Sequence, residues 1–583
     1  MEKMKMPPGN AQKLQGPAFP LRATALAVIV LVPVLLSGCG SSDDNPGSTT
    51  QTPTPAPTPA PVATWQLPAS EIPLGPSGQQ EARTTTPLKT GVTYYQITRG
   101  QTASSDFWTI TVQFAKTQSA AAPAAAALAT AGYQVRYDSA GTGPDGSPLG
   151  FNVSVGQYPT QAAAQTAATT IAQQTNNAYT LKVRNTGLDG NASSTGPWLV
   201  NVLAIAPTFK GNLQNVIAGG NQADTGGMIG PAGLETPQST AARMGAFAAI
   251  NSGYGSATAL ATGGTASTLV SNGKLEGMAV NGQPAVSFAQ VNGSPSVSFL
   301  QNVSTTATVT SSQGASASIL GENRSILGQV YNCGSPGALP NAGPAMDYPC
   351  TNYNDLVLYD GNYNGGLTSA TNVDPGYSGA TYEVLVDSKG AVVSGSTVLG
   401  APPPPGGYVL QGLGTSAAWL QQNAANGASL NVTQNVQSNA GPMTLAQGTS
   451  LAAAGPTLLP AATVQQSAVA EGFSPTFGNL DRTGSWYWGW FMARNPRTMI
   501  GTTPDGTILL VEIDGRQPGL SIGTTIQETA NVMQWLGASK AINLDGGGSS
   551  AMIVNGADVA HPSDNSPATP TQRKVISSLV LTQ

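Results

Sequence analysis

Charge is the first thing this sequence lacks. Only 9% of its 583 residues are Asp, Glu, Lys or Arg, and histidine occurs once, at position 561. Soluble domains ordinarily carry about 25% charged residues. Ser, Thr, Asn and Gly must therefore cover much of the surface, which suits an exported β-rich protein better than a cytosolic helical one. The net charge of −5 gives no basic footprint for nucleic acid. With one histidine, a zinc site or a Ser-His-Asp triad would depend on His561 alone. Ligand spacing offers no metal site and nothing demands a cofactor, although an oxygen-only cation site leaves no trace in sequence. Cysteine is equally scarce. Cys39 stands alone, while Cys333 and Cys350 enclose "CGSPGALPNAGPAMDYPC" without any CxxC spacing. In an oxidising compartment these two are expected to form a disulfide stapling loop 333–350.

The chain has length for two or three domains. "LRATALAVIVLVPVLLSGCGSSDD" joins a basic flank (Lys3, Lys5, Lys13, Arg22) to an apolar run too short for a comfortable membrane span. Its "LSGC" ending resembles a bacterial lipobox. That resemblance implies a signal peptide over 1–39, lipidation of Cys39, and an outer-membrane lipoprotein anchored by acyl chains in one leaflet. Residues 40–65 are rich in Thr-Pro and Ala-Pro steps and read as an extended tether. Residues 66–105 read as an early piece of the large domain. Between 106 and 190 the pattern is β-α-β-β-α-β: "FWTITVQF", "AAPAAAALATAG", "YQVRYDS", "LGFNVSVGQY", "TQAAAQTAATTIAQQ" and "YTLKVRN". This unit resembles the SPOR repeat, which implies peptidoglycan glycan strands as a partner.

Residues 191–583 are mostly short alternating strands between Gly, Asn and Ser, so the chain reads as α+β with one large β-rich domain. Ser/Gly-rich insertions are expected around 263–323. One late helix is well marked: in "TTIQETANVMQWLGAS", Thr525 and Glu528 have capping-box spacing and Gly537 follows the last turn. "GSWYWGWF" (Gly484 to Phe491) reads as a strand with alternating buried aromatics, with sugar stacking as the rival reading.

The late helix leads into "KAINLDGGGSSAMIVNG". A hairpin does not need three successive glycines, and such a run weakens a fold unless something must approach the backbone closely. "NPRTMIGTTPDGTILLVEIDGR", this bend, "HPSD" and "QRKVISSLVL" follow in order, with "ETPQSTAARMGAFAAINSGYG" upstream. Together they resemble the phosphodiester glycosidase family, over roughly Gly196 to Gln583. The resemblance implies a hydrolase that cleaves the glycosidic bond of a sugar-1-phosphodiester, here in an envelope or extracellular glycan.

The residues suit that bond. Its cleavage builds oxocarbenium-like charge on the sugar and a second negative charge on the phosphate. A carboxylate is needed for the first and planar, permanently charged donors for the second. Asp545 is the leading catalytic carboxylate. Glu512 and Asp514 share a strand face by period two; the readings open for them are a partner acid to Asp545 or an anchor that orients Arg516. Arg243, Arg497, Arg516 and Arg573 are the candidate phosphate ligands; for Arg516 and Arg573 a structural ion pair is the rival reading. Asn251 and Asn543 suit sugar hydroxyls. Gly546, Gly547 and Gly548 could present backbone N–H groups as an anion nest, and Ser549 and Ser550 could donate hydrogen bonds. His561 reads as a loop residue, and Asp564 as a turn cap. The competing functions are a non-catalytic glycan-binding lipoprotein and an exopolysaccharide-processing enzyme.

Overall fold

The computed structural model describes residues 65–583, apart from 144–145, 191–192, 220–232, 256–263, 266, 281, 331–349, 364–372, 461–463, 472, 474–486 and 567–568. The lipidation of Cys39 and the Cys333–Cys350 disulfide lie outside the described residues.

Two antiparallel sheets frame the part that concerns function. The first has seven strands in the order Glu81–Lys89, Val92–Arg99, Trp198–Ile205, Ile508–Ile513, Arg497–Thr502, Lys540–Asn543 and Thr457–Leu459. The second runs Ala557–Asp558, Met552–Val554, Ala248–Asn251, Ser577–Thr582 and Asn212–Ile217. Leu203, Ile205, Ile500, Leu510 and Ile542 from the first share one core with Ala248, Ile250, Met552, Leu579 and Leu581 from the second. Each of the Leu, Ile and Met side chains contributes about 1.5–3 kcal/mol by leaving water. Strands buried on both faces explain the unbroken apolar run in "TILLVEI".

The late helix, Ile526–Trp535, forms as its caps demand. Thr525 accepts the Glu528 N–H at 3.0 Å and Glu528 accepts the Thr525 N–H at 2.9 Å. Ile526, Ala530 and Met533 bury one side in a core with Met499, Leu509 and Val511. Gly537 then takes a φ of 80°. The chain reverses into Lys540–Asn543 beside Arg497–Thr502, which brings Asp545 to the end of the sheet.

Strands Val92–Arg99 and Trp198–Ile205 are paired neighbours, yet a whole α/β unit lies between them in sequence. It comprises Trp108–Ala115, Gln118–Thr130, Val135–Ser139, Phe151–Tyr158, Gln161–Gln174 and Lys182–Asn185, in the order β-α-β-β-α-β. The 66–105 segment thus contributes strands to the same sheet as Trp198–Ile205.

The Ser/Gly-rich stretch around 263–323 contains paired strands. Leu269–Ser271 and Ala285–Val291 both pair with Ser450–Ala453, and Ser304–Ser311 pairs along its length with Leu430–Ser438. Ser/Thr-rich composition hides a period of two: Thr305, Ala307, Val309 and Ser311 are buried in turn. The aromatic segment differs from the sequence reading: where described, it is not a strand. Trp488–Met492 is one wide helical turn, with Ala493 donating to the Trp488 carbonyl at 2.7 Å and the rings of Tyr487 and Phe491 stacked at 4.8 Å.

Candidate active site

The bend after Lys540–Asn543 is pinned on several sides. The Asp545 N–H donates to the Ser252 carbonyl at 3.0 Å, and Asn251 Nδ2 donates to the Asp545 carbonyl at 2.6 Å. The Gly546 N–H donates to Asp545 Oδ1 at 2.9 Å and the Gly547 N–H to the Pro496 carbonyl at 2.9 Å. Two of the three glycine amides are therefore spent internally, which corrects the expectation of an open nest.

The glycines serve side chains instead. A β-carbon on Gly547 would sit 3.0 Å from Arg516 Nη2, and one on Gly548 would collide with Asp564 and Arg573. The bare backbone lets two guanidiniums close on the turn beside Asp545. Burial raises the Asp545 carboxyl above its ordinary value, while the Ser549 hydroxyl bonded to it, Arg573, the Gly546 N–H and Arg516 pull the other way.

Arg516 anchors its Nε on Asn495 Oδ1 at 2.9 Å, and among the described residues no carboxylate forms a salt bridge with it. Its φ is 60°; every other non-glycine residue described with positive φ is asparagine. Asparagine tolerates this region, whereas arginine pays roughly 1–2 kcal/mol. Strain of this kind clusters at functional sites. Arg573 is less free: Nε and Nη2 bond Asp564 at 2.8 and 3.0 Å. Lys182, from the inserted α/β unit, adds a further positive charge. Burial lowers its pKa first, and repulsion from Arg516 lowers it further.

Glu512 lies near the end of strand Ile508–Ile513 and Asp514 just beyond it, 0% and 1% exposed. Glu512 Oε2 accepts from Asn201 Nδ2 at 2.7 Å, and Oε1 is buried without a hydrogen-bond partner. Burial, then the charge of Asp514, holds its carboxyl well above the ordinary value. Asp514 Oδ1 accepts the His561 backbone N–H at 2.8 Å, and Oδ2 lies 2.7 Å from His561 Nδ1. Both acids are buried, against their expected direct roles, and the imidazole is half-exposed to solvent. Spacing gave no warning, because His561 and Asp514 are 47 residues apart. Asp558, whose carboxyl burial pushes up to about 6, lies close enough to Asp514 for their charges to repel.

Several other expected ligands are committed to the fold. Asn251, fully buried, accepts from Thr498 Oγ1 at 2.7 Å and the Ala551 N–H at 3.1 Å besides bracing Asp545. It is a strut, not a sugar contact. Asn543 donates to Tyr254 Oη and to the Gly455 and Leu544 carbonyls. Arg497, 2% exposed, gives Nε to the Thr524 carbonyl and Nη2 to those of Trp490 and Ala493. Burial lowers its pKa to about 9. Arg243 pairs with Glu235 at 2.9 Å and caps the Ile217 carbonyl. Ser550 is buried against Thr498. Asp545, Ser549, Arg516 and the Arg573–Asp564 pair remain at the bend. A cavity of about 510 Å³ lies elsewhere, among Thr265, Thr305, Glu322 and Arg324, and draws on none of these.

Residues 380–582 match the phosphodiester glycosidase family. A crystal structure described as that of an exported protein from Burkholderia pseudomallei is 46% identical, with a TM-score of 0.82 over 90% of this chain and 100% of that one. The chain belongs to the family of that protein. A structure from Synechocystis shares 16% identity at a TM-score of 0.47, covering 86% of this chain and 80% of its own. The catalytic domain of zebrafish N-acetylglucosamine-1-phosphodiester α-N-acetylglucosaminidase, auto-inhibited by its pro-peptide, shares 14% at 0.31, covering 68% and 80%. No curated protein matches.

Proposed function

We propose that this protein is a glycosidase that hydrolyses the bond between a sugar anomeric carbon and a phosphodiester in an envelope or extracellular glycan. The match of residues 380–582 to the phosphodiester glycosidase family supports the reaction class. The observation that carries the substrate class is the bend: a carboxylate, Asp545, beside a guanidinium, Arg516, with no salt-bridge partner among the described residues and held at a strained φ of 60°. A neutral glycoside would leave that charge without purpose. A phosphodiester gives it a partner that gains negative charge as the bond breaks, so Arg516 binds the departing phosphate more strongly than the bound substrate. Asp545 faces the anomeric carbon and stabilises positive charge there.

The addressing follows the same reading. Lipidated Cys39 and the tether hold the enzyme at the outer membrane, consistent with an exported relative. The inserted unit, SPOR-like in element order, docks the enzyme on peptidoglycan glycan. Among the described residues no helix is long and apolar enough to cross a membrane.

Incubation of the purified chain with an α-sugar-1-phosphodiester is expected to release free sugar and a phosphate monoester in equal amounts. Saturable glycan binding with no release would instead favour a binding protein on an enzyme scaffold.

A further inference from the structure

We infer that His561 is the residue that accepts the proton of the attacking water, with Asp514 as its positioning residue; this rests on the hydrolase reading above. The geometry is unusually complete for a loop histidine. One buried carboxylate holds both the backbone N–H and the ring Nδ1 of the same residue, at 2.8 and 2.7 Å. This double grip fixes the plane of the ring and places the proton of the neutral imidazole on Nδ1, leaving the lone pair on Nε2. Asp514 is 1% exposed, whereas the His561 side chain is 49% exposed, so only the imidazole can meet water.

The dyad is tied to the bend from both directions along the chain. Two residues after Asp514 comes Arg516, which lies against Gly547; three residues after His561 comes Asp564, which lies against Gly548. The charged groups that act on the ring are Asp514 and, on the preceding hairpin, Asp558; Glu512 neighbours Asp514, and the Arg573–Asp564 pair belongs to the loop that follows His561. The hydrogen bond to Asp514 raises the imidazole pKa, with the charges of Asp514 and Asp558 adding to it and burial opposing.

In the step assigned to His561, a water O–H bond breaks and its proton passes to Nε2. The water oxygen bonds to the anomeric carbon. The leaving electron pair goes to the phosphate in the same step; or, where Asp545 has taken up the sugar in an earlier step that released the phosphate, the sugar–Asp545 bond breaks and its electron pair returns to that carboxylate. His561 then returns its proton to solvent.

The chain has a single histidine, so protein made without a histidine tag gives one set of imidazole resonances. Nitrogen-15 NMR of the full chain is expected to show a neutral ring protonated on Nδ1, titrating above the ordinary 6.5, and to show that value fall in Asp514→Asn. His561→Asn, which keeps a donor towards Asp514, is expected to lose about 100-fold or more in kcat with KM within about twofold. It should also lose the acid limb of the pH–rate profile and recover in part with added imidazole. A ring protonated on Nε2, or an unmoved titration in Asp514→Asn, overturns the dyad. Native kcat in His561→Asn overturns the proton-accepting role while leaving the hydrolase intact. An intact dyad in a native protein that cleaves no sugar-1-phosphodiester overturns the function and this role with it.

Discussion

Arg516 lies against the bare backbone of Gly547: its Nη2 stands 3.0 Å from where a β-carbon would be. Both residues hold positive φ, 60° and 64°. One is a glycine that gives up its side chain, and the other is an arginine that accepts strain.

Arg516→Gly should therefore separate stability from activity. Removing the strained side chain is expected to stabilise the fold by about 1 kcal/mol, read as a shift in the denaturant midpoint. Losing a charge-assisted phosphate contact of about 2 kcal/mol lowers kcat/KM roughly 30-fold. Gly547→Ala, which strains its own backbone and displaces the guanidinium, is expected to lower both. An Arg516→Gly variant that is less stable and fully active would deny it the role of phosphate ligand.

The sequence displayed what repeats locally. The capping box at Thr525, the β-α-β-β-α-β order and the paired acids on "LLVEIDGR" could all be read because each depends on neighbours within a few residues. The glycine bend could be read as a place where something comes close. Which groups come close could not. Asn251, Arg497 and Asn543 stand in the motifs as conspicuously as Arg516, but they brace carbonyls and hydroxyls contributed by other segments. His561 shows nothing of its role locally, because its partner Asp514 is 47 residues away in the chain. Polar residues with a period of two at 304–311 were masked by their own composition.

Glu512→Gln should change how stability depends on pH. Burial raises the Glu512 carboxyl above its ordinary 4.5, so the folded chain keeps a proton that the unfolded chain releases. The native protein therefore loses stability as pH rises from 4.5 towards the folded value. Glutamine has no such proton to hold, and its amide can donate to Asp514 while its carbonyl accepts from Asn201. Melting temperatures compared across that window are expected to diverge in favour of the variant as pH rises. Parallel curves would mean that Glu512 is ionised in the fold.

Arg497→Met should cost stability, not affinity. Its guanidinium satisfies three buried carbonyls, and leaving even two of them unpaired costs about 3 kcal/mol. The expected result is a lower denaturant midpoint with KM unchanged in the fraction that remains folded. A raised KM with native stability would return Arg497 to the list of substrate ligands.

The most direct test is the turnover of Asp545→Asn on an α-sugar-1-phosphodiester, with circular dichroism as the check on folding. The substitution keeps the size of the side chain and removes the charge proposed to face the anomeric carbon. The account predicts native spectra and a fall in kcat of about 1,000-fold or more, a loss of roughly 4 kcal/mol of transition-state stabilisation. Native spectra with native kcat would contradict it.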